Sequence, residues 1–178
     1  MLDGEKTIIQ DAVKGESSAF GLLYDHYQPQ IYRFVFLKVS RREEAEDLTH
    51  QVFLNAWQNI RKYQDLGFPF SSWLYRIARN AVIDFYRGQK ETVNFDEVDP
   101  QLFATQLTTS EFVDERLEMS RVLAAVRKLK PEYQDVIIMR FIEDLAPKDV
   151  ALALEKSEGA VKLIQHRALK QLQILLDA

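Results

Sequence analysis

Apolar side chains return every three or four residues along most of this chain, the spacing that puts them on one face of a helix. Phe20, Leu23, Tyr24, Tyr27, Ile31, Phe34 and Val35 form the first stripe, one helix or two broken at Pro29. Ala45, Leu48, Val52, Phe53, Ala56, Trp57 and Ile60 form a second and cleaner one. Residues 63–70 contain Gly67 and Pro69 and read as a loop. Ser71 or Ser72 is then placed to cap a third helix to about Arg87, with Trp73, Ile77, Ala81 and Phe85 inward. Connections this short imply one compact bundle.

The pattern lapses over 91–112, where Asp96, Glu97, Asp99 and Pro100 precede a polar run at 105–110, so this stretch reads as a linker, with a local helix around 102–107 as an option. Helical spacing resumes at Phe112, Leu117, Val122, Ala125, Val126 and Leu129. Pro131 marks a new start, continued by Val136, Ile137, Met139, Arg140 and Phe141. A short helix runs from Pro147, at the favoured first position, to about Leu154. Ser157 is a good N-cap for a last helix bearing Val161, Ile164, Ala168, Leu172 and Leu175. No stretch alternates strictly enough to be a strand. The expected fold is therefore all-α: two small helical domains, 1–90 and 115–178, joined by a flexible acidic linker over 91–114.

Composition agrees with that reading and narrows the function classes. Eleven Gly plus Pro among 178 residues favour helices over a turn-rich β-sandwich. The longest aliphatic runs, 122–126 and 150–154, are far too short for membrane insertion, and the first ten residues carry acids where a signal peptide wants bases. No cysteine is present, so disulfides, thiolate metal sites and a cysteine nucleophile are excluded. A cytoplasmic location is the expectation. The net charge of −4 hides an uneven distribution. Residues 91–118 hold eight acids and one base, whereas 67–90 hold four bases and one acid. An acidic total thus does not exclude a nucleic-acid ligand.

Catalysis finds little support. His26, His50 and His166 are far apart with no metal-ligand spacing, and the scattered glycines make no phosphate loop. The acid pairs Glu43–Glu44 and Glu46–Asp47 open a helix, where they suit its dipole. No catalytic residue, cofactor or metal is expected.

Two segments have nucleic-acid chemistry. From Pro147 onward the chain has a helix–turn–helix pattern whose second helix and lead-in carry Lys156, Lys162, Arg167 and Lys170, with Glu158 the one acid among them. Such a motif lays its second helix in the major groove. Two amphipathic helices with a short turn look the same, so both readings stay open. Residues 68–90 interleave aromatics with Arg76, Arg79, Arg87 and Lys90, and Arg76, Asn80 and Arg87 share a helical stripe. Aromatics for stacking near cations for phosphate are what single strands require. Trp73, Leu74 and Ile77 read as core, whereas Tyr63, Phe68, Phe70, Tyr75 and Tyr86 read as partly exposed.

In order, AEDLTHQVFLNAW (45–57), FSSWLYRIARNAVIDFYR (70–87), LKPEYQDVIIMRF (129–141) and SEGAVKLIQHRALKQL (157–172) resemble bacterial sigma factors of the sigma-70 family. The nearest class is the extracytoplasmic-function (ECF) type, which keeps the family's regions 2 and 4. The resemblance spans roughly 17–90 and 115–175, nearly everything but the linker.

It implies a factor that binds core RNA polymerase and directs promoter-specific initiation. Asp47, His50, Gln51 and Asn55 would dock on the clamp helices of the β′ subunit, with His50-Gln51 standing where members usually carry Gln-Glu. Tyr63, Phe68 and Phe70 would shape a pocket for a flipped minus-10 base, and Arg76, Arg79, Asn80 and Arg87 would hold the strand. Ser157, Glu158, Gly159, Lys162 and Gln165 would face the minus-35 duplex, with Arg167 and Lys170 toward phosphates. Glu155 replaces the usual turn glycine, Ala146 the usual Ser or Thr cap, and Leu163 and Ile164 more polar residues. Implied partners are the β′ clamp helices and β flap of the polymerase, promoter DNA and an anti-sigma factor. The acidic linker would thread the polymerase cleft or serve as a solvated spacer. Rival readings are a stand-alone helix–turn–helix regulator and a sigma-like decoy that sequesters an anti-sigma factor. Arg76, Arg79, Asn80, Lys162 and Arg167 argue against the decoy, which would lose them.

Overall fold

A computed structural model describes the backbone of residues 2–88 and 113–177 and the side chains of 2–88 and 117–177. The acidic linker, its optional helix at 102–107, Lys90 and Phe112 lie outside the described residues. Eight α-helices make up the rest: α1 (Glu5–Lys14), α2 (Ser17–Val39), α3 (Arg42–Asn59), α4 (Phe70–Gly88), α5 (Val113–Arg127), α6 (Pro131–Ile137), α7 (Pro147–Ala153) and α8 (Glu158–Leu176). They fall into two compact units, one built on α1–α4 and the other on α5–α8.

In the first unit α1 ends where Gly15 takes a φ of 103°, a left-handed value, and donates its amide to Ala12. The left-handed φ favours glycine there, and an added Cβ would also meet the tip of the exposed Arg61 side chain at 3.0 Å, which would have to move aside. Next, α2 passes unbroken through Pro29. Pro29 is exposed, so the carbonyl it leaves without a partner can meet water, while Leu23, Tyr27, Ile31, Phe34 and Val35 bury on the other side. That burial offsets the roughly 3 kcal/mol an internal proline costs. On α3, Ala45, Thr49, Val52, Phe53 and Ala56 are buried, and Thr49 Oγ1 donates to Ala45 O at 2.6 Å, so its hydroxyl is satisfied inside the helix. Leu48 and Trp57, expected in the core, are half-exposed.

The inward face of α4 corrects the expected one. Phe70, Leu74, Tyr75, Ala78 and Val82 are buried, whereas Trp73, Ile77, Ala81 and Phe85 are half-exposed. Phe70 and Tyr75, expected to be partly exposed, are each 1% accessible. Apolar residues cover so much of this helix that periodicity admits two faces one residue, about 100°, apart. Packing against α2 and α3 selects between them. Neither serine caps the helix: it begins at Phe70, so Ser71 and Ser72 are buried in its first turn.

In the second unit the buried residues of α5 are Leu123, Ala125 and Val126, followed by Leu129. Ala125, Val126 and Leu129 are inward as expected, whereas Leu117 is 60% exposed and Val122 half-exposed, with Leu123 buried beside it instead. Pro131 opens α6 at its first position, and Gln134 Nε2 ties that helix back to the carbonyls of Arg127 and Leu129 at 2.8 and 2.9 Å. A π-helical turn, Ile138–Ile142, continues α6. Pro147 opens α7, where the Asp149 amide turns back on Ala146 O and the Val150 amide makes the first helical bond to the same carbonyl. Glu155 adopts φ 54°, keeping the left-handed conformation a glycine would take. Ser157 caps α8, its Oγ accepting from the Ala160 amide at 3.1 Å, and Val161, Ile164, Ala168 and Leu172 face inward as expected.

Candidate nucleic-acid interface

Three surfaces gather the residues singled out from the sequence. On α3, burial of Ala45, Thr49, Val52 and Ala56 turns Asp47, Gln51 and Asn55 outward at four-residue spacing, all exposed. The Asn55 side chain is held by Asn59, whose Nδ2 donates to Asn55 Oδ1 at 2.9 Å. His50 is also exposed but faces a groove shared with Phe20, Tyr24, Phe53, Leu54 and Trp57. Its floor is a ladder of rings: Phe20 lies 5.0 Å from Trp57 and Tyr24 lies 4.8 Å from Phe53.

The second surface joins the loop after α3 to the start of α4. Tyr63, Phe70 and Trp73 form a triangle of rings, with centroids 5.2 Å apart from Tyr63 to each partner and 5.4 Å between Phe70 and Trp73. Phe70 is therefore the buried support of this cluster, not a stacking surface. Tyr63, Phe68, Trp73 and Arg76 line one recess, with Phe68 at its exposed edge. Burial, with the nearby carboxylates of Asp65 and Glu5, pushes the Tyr63 phenol up to about 12, so it stays neutral at physiological pH. Gly67 turns the loop at φ 79°, its amide bonded to Asp65 Oδ1 at 2.9 Å. On α4, Arg76, Asn80 and Arg87 fall within about 40° of one another at 100° per residue. Arg76 and Arg79 are half-exposed, Asn80 and Arg87 exposed, and Arg87 lies 3.6 Å from Asp84. Tyr86 OH donates to Lys38 O at 2.5 Å and fixes the far end of the helix to α2.

The third surface is the outer face of α8. Glu158, Gly159, Lys162, Arg167 and Lys170 are exposed, and Lys162 Nζ pairs with Glu158 Oε1 at 2.7 Å. Lys156 is paired with Glu132 at 2.9 Å. Gln165 is held within the fold. It is half-buried, and Arg140, placed by the π-helical turn, donates from Nε to Gln165 Oε1 at 3.0 Å and from its guanidinium to Leu145 O. Two other exposed residues occupy the outward stripe instead, Leu163 and His166. The signal for them was in the sequence: with Val161, Ile164 and Ala168 inward, 100° steps put Gly159, Leu163, His166 and Lys170 on the opposite face.

Among the described residues no cluster of three or more His, Cys, Asp or Glu could hold a metal ion, and no helix is long and apolar enough to cross a membrane.

Comparison with known proteins places this geometry. Residues 23–92 match the sigma-70 region 2 model and residues 119–172 the sigma-70 region 4 model. The chain is 34% identical over 182 residues to the ECF RNA polymerase sigma factor BldN of Streptomyces coelicolor, covering 95% of this chain and 64% of BldN. It is 31% identical over 161 residues to the ECF sigma factor SigX of Bacillus subtilis, covering 86% of this chain and 81% of SigX. The structure of CnrH in complex with the cytosolic domain of CnrY superposes with a TM-score of 0.74 at 24% identity, over 97% of both chains, and so shares the fold. The chain belongs to the sigma-70 family of RNA polymerase sigma factors. Within it the chain is of the ECF type, with regions 2 and 4, a non-enzymatic polymerase subunit that directs transcription initiation.

Proposed function

We propose that the three surfaces divide the work of initiation among them. Asp47, His50, Gln51 and Asn55 dock on the β′ clamp helices of core RNA polymerase. The recess of Tyr63, Phe68 and Trp73 takes a flipped minus-10 base, while Arg76, Arg79, Asn80 and Arg87 hold the strand. Extrusion costs a few kcal/mol, offset by stacking and phosphate contacts. The face of α8, with Ser157, Glu158, Gly159, Lys162, His166, Arg167 and Lys170, reads the minus-35 duplex beside the β flap. Residues 1–90 then serve docking and melting, 91–114 act as a tether, and 115–178 read the duplex. The factor works in the cytoplasm with its polymerase, and an anti-sigma factor masks these surfaces. CnrH, of the same fold, forms a complex with the cytosolic domain of CnrY.

The observation that carries this reading is the outward row Asp47, Gln51 and Asn55 on a helix whose other side is core. A regulator acting alone on DNA has no use for such a row. The experiment is size-exclusion co-elution with bacterial core polymerase in the absence of DNA. Micromolar co-elution, lost in Asp47→Arg with Gln51→Ala, is expected. Unchanged co-elution in the double variant would refute the docking face, and duplex binding without polymerase binding would favour the regulator.

A further inference from the structure

The outward face of α8 has an apolar residue at its centre. Leu163 is the sixth residue of that helix and is 49% exposed. It lies on one stripe with Gly159, His166 and Lys170 and is flanked by Lys162 and Arg167, opposite the buried row Val161, Ile164 and Ala168. A leucine among cations and a glycine has no hydrogen bond to offer a base edge. Any donor or acceptor pressed against it would lose its water without replacement, which is unfavourable.

We propose that Leu163 is a specificity-determining residue that reads thymine in duplex DNA through its C5-methyl group. The inference rests on α8 being the duplex-reading helix, as proposed above. In the major groove the thymine methyl is the apolar group among the base edges, so it is the surface Leu163 can cover favourably. Position along the helix supports contact at base depth, because the early residues of a recognition helix meet base edges. Gly159, one turn earlier, has no side chain, and nothing lies within 4 Å of where a Cβ would be. The groove wall can therefore approach the backbone there, which brings Leu163 inward. The other exposed aliphatic residues of α8 are placed differently. Leu169 is turned about 120° from Leu163, and Ile174 lies about 16 Å further along, beyond the turns a groove admits.

The test uses the full chain assembled with core polymerase and a pool of duplexes randomised over ten base pairs. Each thymine of the enriched sequence is then replaced singly by deoxyuridine, which deletes the methyl and nothing else. One thymine is expected at which this weakens binding roughly 3–10-fold, the effect of one buried methyl-sized group. Leu163→Ala, an exposed truncation checked by its co-elution with core, is expected to bind thymine and uracil alike at that position. Sensitivity that persists in Leu163→Ala overturns the proposal. If no thymine in the wild-type site is sensitive while Lys162→Ala still alters the enriched sequence, thymine reading fails and the role of α8 stands. If Lys162→Ala and Leu163→Ala both leave enrichment unchanged, the role of α8 fails and the inference with it.

Discussion

Lys162 Nζ lies 2.7 Å from the Glu158 carboxylate one turn earlier on α8, so this exposed cation already has an acidic partner on its own helix. The bond and the charge of Lys162 hold Glu158 below the usual carboxylate range. The pair therefore persists at neutral and mildly acidic pH, and its contribution is lost as pH falls through that depressed value.

Removing the carboxylate should strengthen DNA binding. Glu158→Gln frees Lys162 from its partner and removes a repelling charge from this face, and we expect severalfold higher duplex affinity with a steeper salt dependence. Fluorescence anisotropy at several salt concentrations measures both. An unchanged slope and affinity would mean that the pair does not weaken the attraction of this face for DNA.

Glu155 occupies a left-handed position at φ 54° in the turn before α8. A non-glycine residue is strained there, and glycine is not, although glycine has more unfolded-state freedom to lose. Glu155→Gly should stabilise the protein by about 0.5–1 kcal/mol, and Glu155→Val should destabilise it. Thermal denaturation decides, and equal midpoints for the two variants would contradict the strain.

Tyr27 on α2 donates its hydroxyl to the Glu5 carboxylate on α1, and its ring packs 5.7 Å from Phe70. Tyr27→Phe keeps the ring and loses the bond, which should cost the first unit about 1–2 kcal/mol. Burial, then the Glu5 bond and charge, raise the Tyr27 phenol far above its ordinary value. The neutral phenol is the form the fold favours, so the stability it contributes is complete below about pH 10 and falls as pH rises beyond it. Urea midpoints from pH 8 to 11 should decline less steeply in Tyr27→Phe, and parallel curves would reject this account.

On the proposed division of labour, strand capture is separable from docking. Arg76→Ala with Asn80→Ala should leave co-elution with core polymerase intact, yet reduce permanganate reactivity of unpaired thymines about tenfold, the scale of one lost base contact. Undiminished reactivity would remove both residues from the strand path.

Trp57 is half-exposed, its ring 5.0 Å from Phe20 at the rim of the α2–α3 groove. Trp57→Ala should therefore cost about 1–2 kcal/mol, less than the 3–5 kcal/mol of a fully buried aromatic. A denaturation midpoint matching the larger loss would place it in the core.

The sequence by itself determined that the chain is helical and where several helices begin and end. Pro131 and Pro147 sit at first helical positions because they lack the amide those positions leave unpaired, and Ser157 caps α8 through a bond to a residue three ahead. These are local effects, readable from neighbours in the chain. The four motifs likewise carried the family. Tertiary structure alone decided the rotation of α4. A 3.6-residue period defines a helix, but an apolar arc wider than the contact leaves its rotation open by a whole residue. Neighbouring helices then chose Phe70 and Tyr75 over Trp73 and Ile77. Packing also decided which polar groups are spent inside the fold. Arg140 takes Gln165, 25 residues away, and Tyr27 takes Glu5, 22 away. No spacing rule along the chain encodes such bonds, because they form between side chains that meet once the helices have packed.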